Sequence, residues 1–302
     1  VTSETTEHRD HRAGAVALVG RPNVGKSTLL NALVGVKVAI VSPKPQTTRN
    51  RICGIRTLEH AQIAFLDTPG IHEARSPLNR RMVDIARRTL AEADAAVAVL
   101  DATAALRAGD GALLELVAAS GRPAVIALNK IDRVAKPALL PLMAELGARM
   151  PGRDLVPISA LRRSGLDVLV DAIVRVLPAG PPLYGQDEFT TASLRFLAAE
   201  LVREQVFLAT RDEIPYGTAV VVERFEERPE RELTVIAATI LVERPSHKPI
   251  VLGAGGARLR DLGARARVAL EDLLGTRVFL ELFVRVEPDW ARSRRRLEEL
   301  GL

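Results

Sequence analysis

The chain has 302 residues, 47% of them apolar and 26% charged, with a formal net charge of +5. That length suits two domains rather than one, and the apolar share is enough for ordinary cores. A lone cysteine, Cys53, excludes a disulfide scaffold and a cysteine metal site, and no apolar run is long enough to cross a bilayer. Cys53 is read as a passive residue, and a reducing cytoplasm fits these features. The positive surplus is modest and fits a solvated surface as well as a polyanion partner.

Val1–Arg12 is polar, lacks the apolar stretch of a signal peptide and is expected to be a disordered lead-in. Ala15–Val19 suits a buried strand, and an amphipathic helical pattern begins at Thr28 and runs to Val34. Between them stands Gly20-Arg21-Pro22-Asn23-Val24-Gly25-Lys26-Ser27, a G-x-x-x-x-G-K-[ST] phosphate loop that Thr28 closes. Its glycines let backbone N–H groups turn inward at a helix N-terminus. Lys26 supplies a charge for the β- and γ-phosphates, and Ser27 supplies a hydroxyl ligand for Mg²⁺.

Gln46-Thr47-Thr48-Arg49 follows as the first switch segment. One of its threonines is expected to complete the Mg²⁺ shell, with Thr48 preferred and Thr47 in reserve. Gln62–Leu66 is another apolar run, and Asp67-Thr68-Pro69-Gly70 follows it. Asp67 can hold Mg²⁺ through water, and the Gly70 N–H can meet the γ-phosphate. Pro123–Leu128 is the next buried strand, leading into Asn129-Lys130-Ile131-Asp132. A carboxylate at Asp132 can accept both guanine N1–H and N2–H, donors that adenine lacks. Asn129 would bond the base's other edge or brace the phosphate loop, and the Lys130 stem would lie over the ring. In Ile158-Ser159-Ala160, backbone N–H groups would contact guanine O6.

This ordered set resembles the translation-factor-like GTPases, and within them the TrmE–Era–EngA branch that shares the Asn-Val-Gly-Lys-Ser loop and the Thr-Thr-Arg switch. The resemblance covers roughly residues 14–178. It implies an α/β P-loop domain with a mixed, mostly parallel sheet and helices on both faces, turning GTP over to GDP with Mg²⁺. Ile71 stands where Ras-type enzymes carry the glutamine that orients water, so a slow intrinsic rate is expected. In related GTPases the asparagine matching Asn23 helps to bind K⁺, which implies a potassium site here.

Beyond Leu177 the strand–helix alternation stops. Gly165–Leu177 reads as an amphipathic helix, and Pro178-Ala179-Gly180-Pro181-Pro182 breaks it. The expected division is a GTPase domain over 13–178, a linker over 179–190 and a second domain over 191–302. The second domain reads as a helix over Thr191–Thr210, strands at Gly217–Arg224 and Glu232–Val242 about a turn at Glu226–Arg231, a helix over Ala257–Leu274 and a strand from Arg277 to Val286. That order is an α+β layout.

Gly253-Ala254-Gly255-Gly256, between the strand pair and the last long helix, is a G-x-x-G loop that brings backbone N–H groups close to a nucleic-acid backbone. Ile250, Leu252, Leu259 and Leu262 would wall a groove for unpaired bases. Lys248, Arg258, Arg260 and Arg265 would border phosphates. By chemistry alone the target is single-stranded nucleic acid.

Segments Arg195–Glu200, Val202–Glu204, Glu213–Tyr216, Val242–Arg244, Ile250–Gly256 and Leu280–Val284, with Trp290, look like the KH domain of the Era GTPase family. The resemblance implies a type II KH domain with a C-terminal helix in a monomeric ribosome-assembly GTPase. It further implies binding to the 3′-end region of 16S rRNA in the 30S subunit, and possible peripheral membrane contact. Ala254 and Gly255 depart from the family, where a lysine or other polar residue is common, so one phosphate contact is expected to be missing. Arg292, Arg294, Arg295 and Arg296 would compensate if they flank the groove. The alternative is a membrane-associated regulatory GTPase whose basic second domain binds anionic lipid. Absence of a second GTPase domain and of a C-terminal cysteine disfavours tandem and tRNA-modifying enzymes.

Overall fold

Apolar runs that are largely buried form strands covered on both faces, and five strands of one sheet here lie parallel. The structure, a computed structural model, describes residues 11–42, 44, 47–49, 51–70 and 77–299. By its contacts the chain divides into two units, Val1–Val38 with Thr48–Thr191, and Ala39–Thr47 with Ala192–Leu302.

The first unit runs β1 (Arg12–Val19), α1 (Lys26–Val34), β2 (Ile52–Thr57), β3 (Ala61–Asp67), α2 (Pro77–Glu92), β4 (Ala95–Asp101), α3 (Ala108–Ala119), β5 (Ala124–Asn129), α4 (Lys136–Arg149), β6 (Leu155–Pro157) and α5 (Leu166–Val176). The sheet order is β2-β3-β1-β4-β5-β6, parallel except for β2, which pairs antiparallel with β3. Ala96, Ala98 and Leu100 of β4 pack with Leu113 and Val117 of α3 and Leu146 of α4. Their neighbours Val97 and Val99 are equally buried and point to the opposite face. The motifs after β1, β3, β5 and β6 therefore gather at the carboxyl edge of the parallel strands, where such sheets place ligands.

Two boundaries differ from the sequence expectation. Residues 1–10 of the expected lead-in lie outside the described residues, but Arg12 already belongs to β1. Its N–H donates to His60 O at 3.1 Å and its Nη1 to Leu177 O at 2.6 Å, so the sheet starts earlier. The expected linker over 179–190 is bonded along the edge of β2. Ile55 N donates to Phe189 O at 2.8 Å, and Thr190 Oγ1 donates to Cys53 O at 2.5 Å. Gln62, fully buried on β3, fastens this strap: its Oε1 accepts from Leu183 N and Tyr184 N at 2.6 and 2.8 Å, and its Nε2 donates to Tyr184 O at 2.9 Å.

The second unit runs α6 (Leu194–Ala209), β7 (Thr218–Arg228), β8 (Leu233–Val242), α7 (His247–Leu252), α8 (Ala257–Leu274), β9 (Arg277–Val286) and α9 (Arg294–Glu299). β8 pairs antiparallel with β7 and parallel with β9. Val202 and Val206 of α6, Ile240 and Val242 of β8, and Leu262 and Ala266 of α8 form its core. Buried Trp290 closes one end, its Nε1 donating to Gly217 O at 3.1 Å. β7 continues to Arg228, past the expected start of the turn. The turn itself is Pro229–Arg231, where proline ends the pairing and Glu232 takes a positive φ of 47°. The short helix α7 before the glycine loop is also unexpected, so that loop joins two helices rather than a strand and a helix.

Gln62→Leu would leave three backbone groups of the strap without partners. We expect it to destabilise the first unit by about 1–3 kcal/mol in urea unfolding and to expose residues 183–190 to limited proteolysis. Wild-type resistance would show that Gln62 does not hold the strap.

Candidate functional site

Gly25, at φ 102°, ends the phosphate loop and caps α1. No side chain could replace it, since an added Cβ would stand 2.4 Å from Asn129 Nδ2. Lys26 is buried, and its Nζ donates to Gly20 O at 3.0 Å and Arg21 O at 3.1 Å. Burial lowers its pKa to about 8, against an upward pull from the Asp67 carboxylate. Arg21 reaches out of the loop to Asp110 of α3, Nε to Oδ1 at 3.2 Å, a tie that the motif does not announce. Gly70 passes so close to the loop that a Cβ there would meet Pro22 N at 2.7 Å.

Three oxygens converge beside the loop. Ser27 Oγ donates to Asp67 Oδ2 at 2.6 Å and lies 2.8 Å from Thr48 Oγ1, which is itself 3.4 Å from Asp67 Oδ2. Asp67 is fully buried, its pKa is raised by that burial, and its Oδ1 has no hydrogen-bond partner. A buried carboxylate with an orphan oxygen beside two hydroxyls fits a hard divalent cation such as Mg²⁺. Thr48 Oγ1 belongs to this cluster, whereas Thr47 Oγ1 is turned to Lys44 O at 2.7 Å. Thr68 has a bracing part, donating to Leu18 O at 2.8 Å. Gln46 and Ile71 lie outside the described residues.

Of the two roles open to Asn129, the structure has it brace the loop, Nδ2 donating to Val24 O at 2.8 Å. Its Oδ1 accepts from Lys130 N at 2.8 Å and from Ala160 N at 3.0 Å. Ser159 N donates to Ser164 O at 3.0 Å. Both amides expected to reach guanine O6 are thus bonded within the protein here. Ser159 Oγ donates to Asp132 Oδ1 at 2.5 Å, while Asp132 stays exposed. Lys130 Nζ is held by Asn23 O at 2.7 Å and Asp101 Oδ2 at 2.6 Å. Asp101 was not singled out by sequence; its only signal is an acid at the carboxyl end of a buried strand. Cys53 is buried, which pushes its thiol pKa up and suits a passive residue.

In the second unit Gly253, Gly255 and Gly256 all take positive φ, 71°, 54° and 77°. At Gly253 a Cβ would fall 2.7 Å from Arg258 Cβ. Beside the loop opens a groove of about 500 Å³ lined by Gly256, Leu259, Arg260, Gly263, Arg267 and the β9 residues Leu280 and Leu282. Gly263 keeps its floor open, since a Cβ there would press on Leu282 at 3.3 Å. Sequence reasoning found Gly256, Leu259 and Arg260 and missed the contributions of α8's next turns and of β9.

Other expected positions are corrected. Leu262 is fully buried in the core, and Arg265 is paired with Asp261 at 2.7 Å. Arg258 donates to Ile250 O, and Arg260 to Gly255 O at 3.1 Å, so both also brace the loop. Lys248, Ile250 and Ala254 are exposed, with Leu252 partly so. Among the C-terminal arginines, Arg292 pairs with Asp289 and Arg296 with Glu287; Arg295 and Arg296 line a separate cavity with Trp290.

Comparison with known proteins agrees with both halves. A family model described as 50S ribosome-binding GTPase matches residues 15–130, and a KH-domain model matches residues 213–291. The GTPase Era of Geotalea uraniireducens is 48% identical over 293 residues, 97% of this chain and 98% of that protein. The GTPase Era of Geobacter metallireducens is 48% identical over 290 residues, 96% and 97% of the two chains. Among solved structures, Era in complex with MgGDPNP and nucleotides 1506–1542 of 16S ribosomal RNA superposes with a TM-score of 0.92 at 43% identity, covering 96% of this chain and 99% of that one. A substituted Aquifex aeolicus Era bound to GDP and AlF4⁻ gives the same TM-score, 0.92, identity, 43%, and coverage, 96% and 99%.

Gly25→Ala forces both a left-handed alanine and a collision with Asn129. Its nucleotide affinity is expected to fall at least about 100-fold in fluorescence titration, with circular dichroism unchanged. Near-normal affinity would mean that the loop relaxes without needing Asn129.

Proposed function

This chain belongs to the Era family of GTPases and hydrolyses GTP to GDP and phosphate, and on that premise we propose that it is a timed RNA-binding switch of small-subunit ribosome assembly. The second unit would hold the 3′-end region of 16S rRNA on the 30S subunit, in the cytoplasm, while the first unit times the contact. The observation that carries this reading is the groove beside Gly253–Gly256. Apolar walls at Leu259, Leu280 and Leu282 suit unpaired bases, Arg260 and Arg267 suit phosphates, and the glycine loop admits a nucleic-acid backbone. The Era relative bound to nucleotides 1506–1542 supports the choice of RNA.

In the first unit, Ser27 and Thr48 would hold Mg²⁺ directly and Asp67 through water. When bound there, the ion would supply positive charge to offset that developing on the phosphates. Lys26 would exchange the carbonyls of Gly20 and Arg21 for those phosphates. Asp132, aligned by Ser159, would accept the guanine N1–H and N2–H. Gly70, against Pro22, would report the third phosphate. Ile71 offers water no hydrogen bond, so intrinsic turnover would be slow. Asn23, exposed at φ 64° on the loop, would place K⁺ beside the phosphates.

Filter binding with a 3′-end 16S oligonucleotide is expected to be saturable and to exceed a scrambled control. Ala254→Asp, which adds a carboxylate at an exposed site, is expected to weaken it about tenfold without changing GTP affinity. Binding that ignores sequence and extends to anionic vesicles would favour the lipid-surface reading instead.

Single-turnover hydrolysis is expected to run several-fold faster in potassium than in sodium at equal ionic strength, with Asn23→Ala removing the difference. Equal rates would remove the potassium assignment.

A further inference from the structure

The segment Ala39–Thr47, which leads into Thr48, groups by its contacts with the second unit. Its bonds run to helix α6. Val41 N donates to Glu204 Oε1 at 2.9 Å, and Arg203 Nη2 donates to Thr47 O at 2.6 Å. Lys44 Nζ donates to the carbonyls of Phe207 and Thr210, at the end of α6 where unpaired carbonyls and the helix dipole favour a cation. Arg203 is fixed from two further sides. Glu200 accepts from its Nε at 2.7 Å and its Nη2 at 2.6 Å, and its guanidinium lies 5.0 Å from the Phe207 ring centroid.

Arg203 and Glu204 are each only 3% exposed. Charged side chains so deeply buried are costly unless hydrogen-bonded. Here each spends a charged bond on a backbone group of the switch segment. One peptide bond beyond Thr47 stands Thr48, with its hydroxyl 2.8 Å from Ser27 Oγ.

We propose that Arg203 and Glu204 are positioning residues for GTP hydrolysis, holding the switch backbone at Thr47 and Val41 so that Thr48 is presented to the metal side of the triphosphate. The proposal rests on the reading of Thr48 as a magnesium ligand. GDP, which lacks the phosphate that Thr48 helps to sense, gains nothing from this anchor. Loss of the anchor therefore weakens triphosphate binding and turnover selectively.

The test uses the full chain, with Mg²⁺ and fluorescent GTP and GDP analogues for affinity and single-turnover GTP hydrolysis for rate. Glu204→Ala, Lys44→Ala and Arg203→Ala are compared with Thr48→Ala. Each of the first three is expected to lower GTP affinity and turnover about tenfold while GDP affinity stays within about twofold. Glu204→Gln keeps an acceptor for Val41 N and is expected to restore most of the loss, which mere packing would not predict. If Arg203→Ala fails to fold, Lys44→Ala and the Glu204 pair carry the test. Equal loss of GTP and GDP affinity, or wild-type behaviour of Glu204→Ala and Lys44→Ala beside a defective Thr48→Ala, overturns the proposal and leaves the metal assignment standing. A Thr48→Ala variant with normal GTP preference overturns both.

Discussion

The nucleotide site depends on one buried amide. Asn129 is 2% exposed and joins three loops that sequence keeps far apart: its Nδ2 holds Val24 O, and its Oδ1 holds the N–H groups of Lys130 and Ala160. A phosphate loop turns its N–H groups inward to the anion it cradles, so its carbonyls face away and need partners of their own. Asn129 supplies one at Val24, and Lys130 supplies another at Asn23. The requirement for glycine at position 25 follows from the same packing, because Asn129 occupies the space a Cβ would need. Asp132 inherits its position from this knot through Ser159.

Several arginines of the second unit are paired with acids within it. Arg224 and Arg228 share Glu226, Arg285 and Arg296 share Glu287, and Arg265 and Arg292 have their own acids. Such exposed pairs add little stability, but they cancel the long-range field that would attract any polyanion. The net charge of +5 is therefore a poor guide to affinity. What remains for recognition is shape, a groove with leucine walls and two arginines on its lining, reached past a loop of glycines. That balance favours unpaired bases over a bare charged surface, since leucine walls cover the apolar faces of bases and exclude water.

Chemistry that needs fixed residue types was readable from the sequence; contacts made by ordinary residues were not. Gly25, Lys26, Ser27, Asp67 and Asp132 belong to motifs in which phosphate, metal and guanine each dictate a donor or acceptor, and the structure gathers them at the carboxyl edge of the parallel strands. Thr48 needed coordinates, since two adjacent threonines have the same chemistry and only the direction of Thr47 Oγ1 toward Lys44 O separates them. Gln62 looked like any polar residue in a strand, yet its amide fastens a strap more than 120 positions later in the chain. Helix α7 was hidden because Pro249 sits within it and Gly253 closes it after six residues, too short for periodicity to register. Leu280 and Leu282 alternated correctly for a strand, but alternation names a face without saying what opens onto it.

The anchoring of Ala39–Thr47 by charged side chains has a physical logic of its own. A switch segment held by apolar burial would be released only at the full cost of exposing that surface. Hydrogen bonds from Arg203, Glu204 and Lys44 to the loop are charge-assisted, and each contributes about 1.5–3 kcal/mol net. Together they sum to several kcal/mol, the range over which a ligand's differential affinity moves a two-state equilibrium from one side to the other. The same argument explains why Arg203 is clamped by Glu200 and Phe207: a mobile guanidinium would lose in side-chain entropy what it gained at Thr47 O. A contact that is weak enough to break and stiff enough to aim is what a nucleotide-timed loop requires.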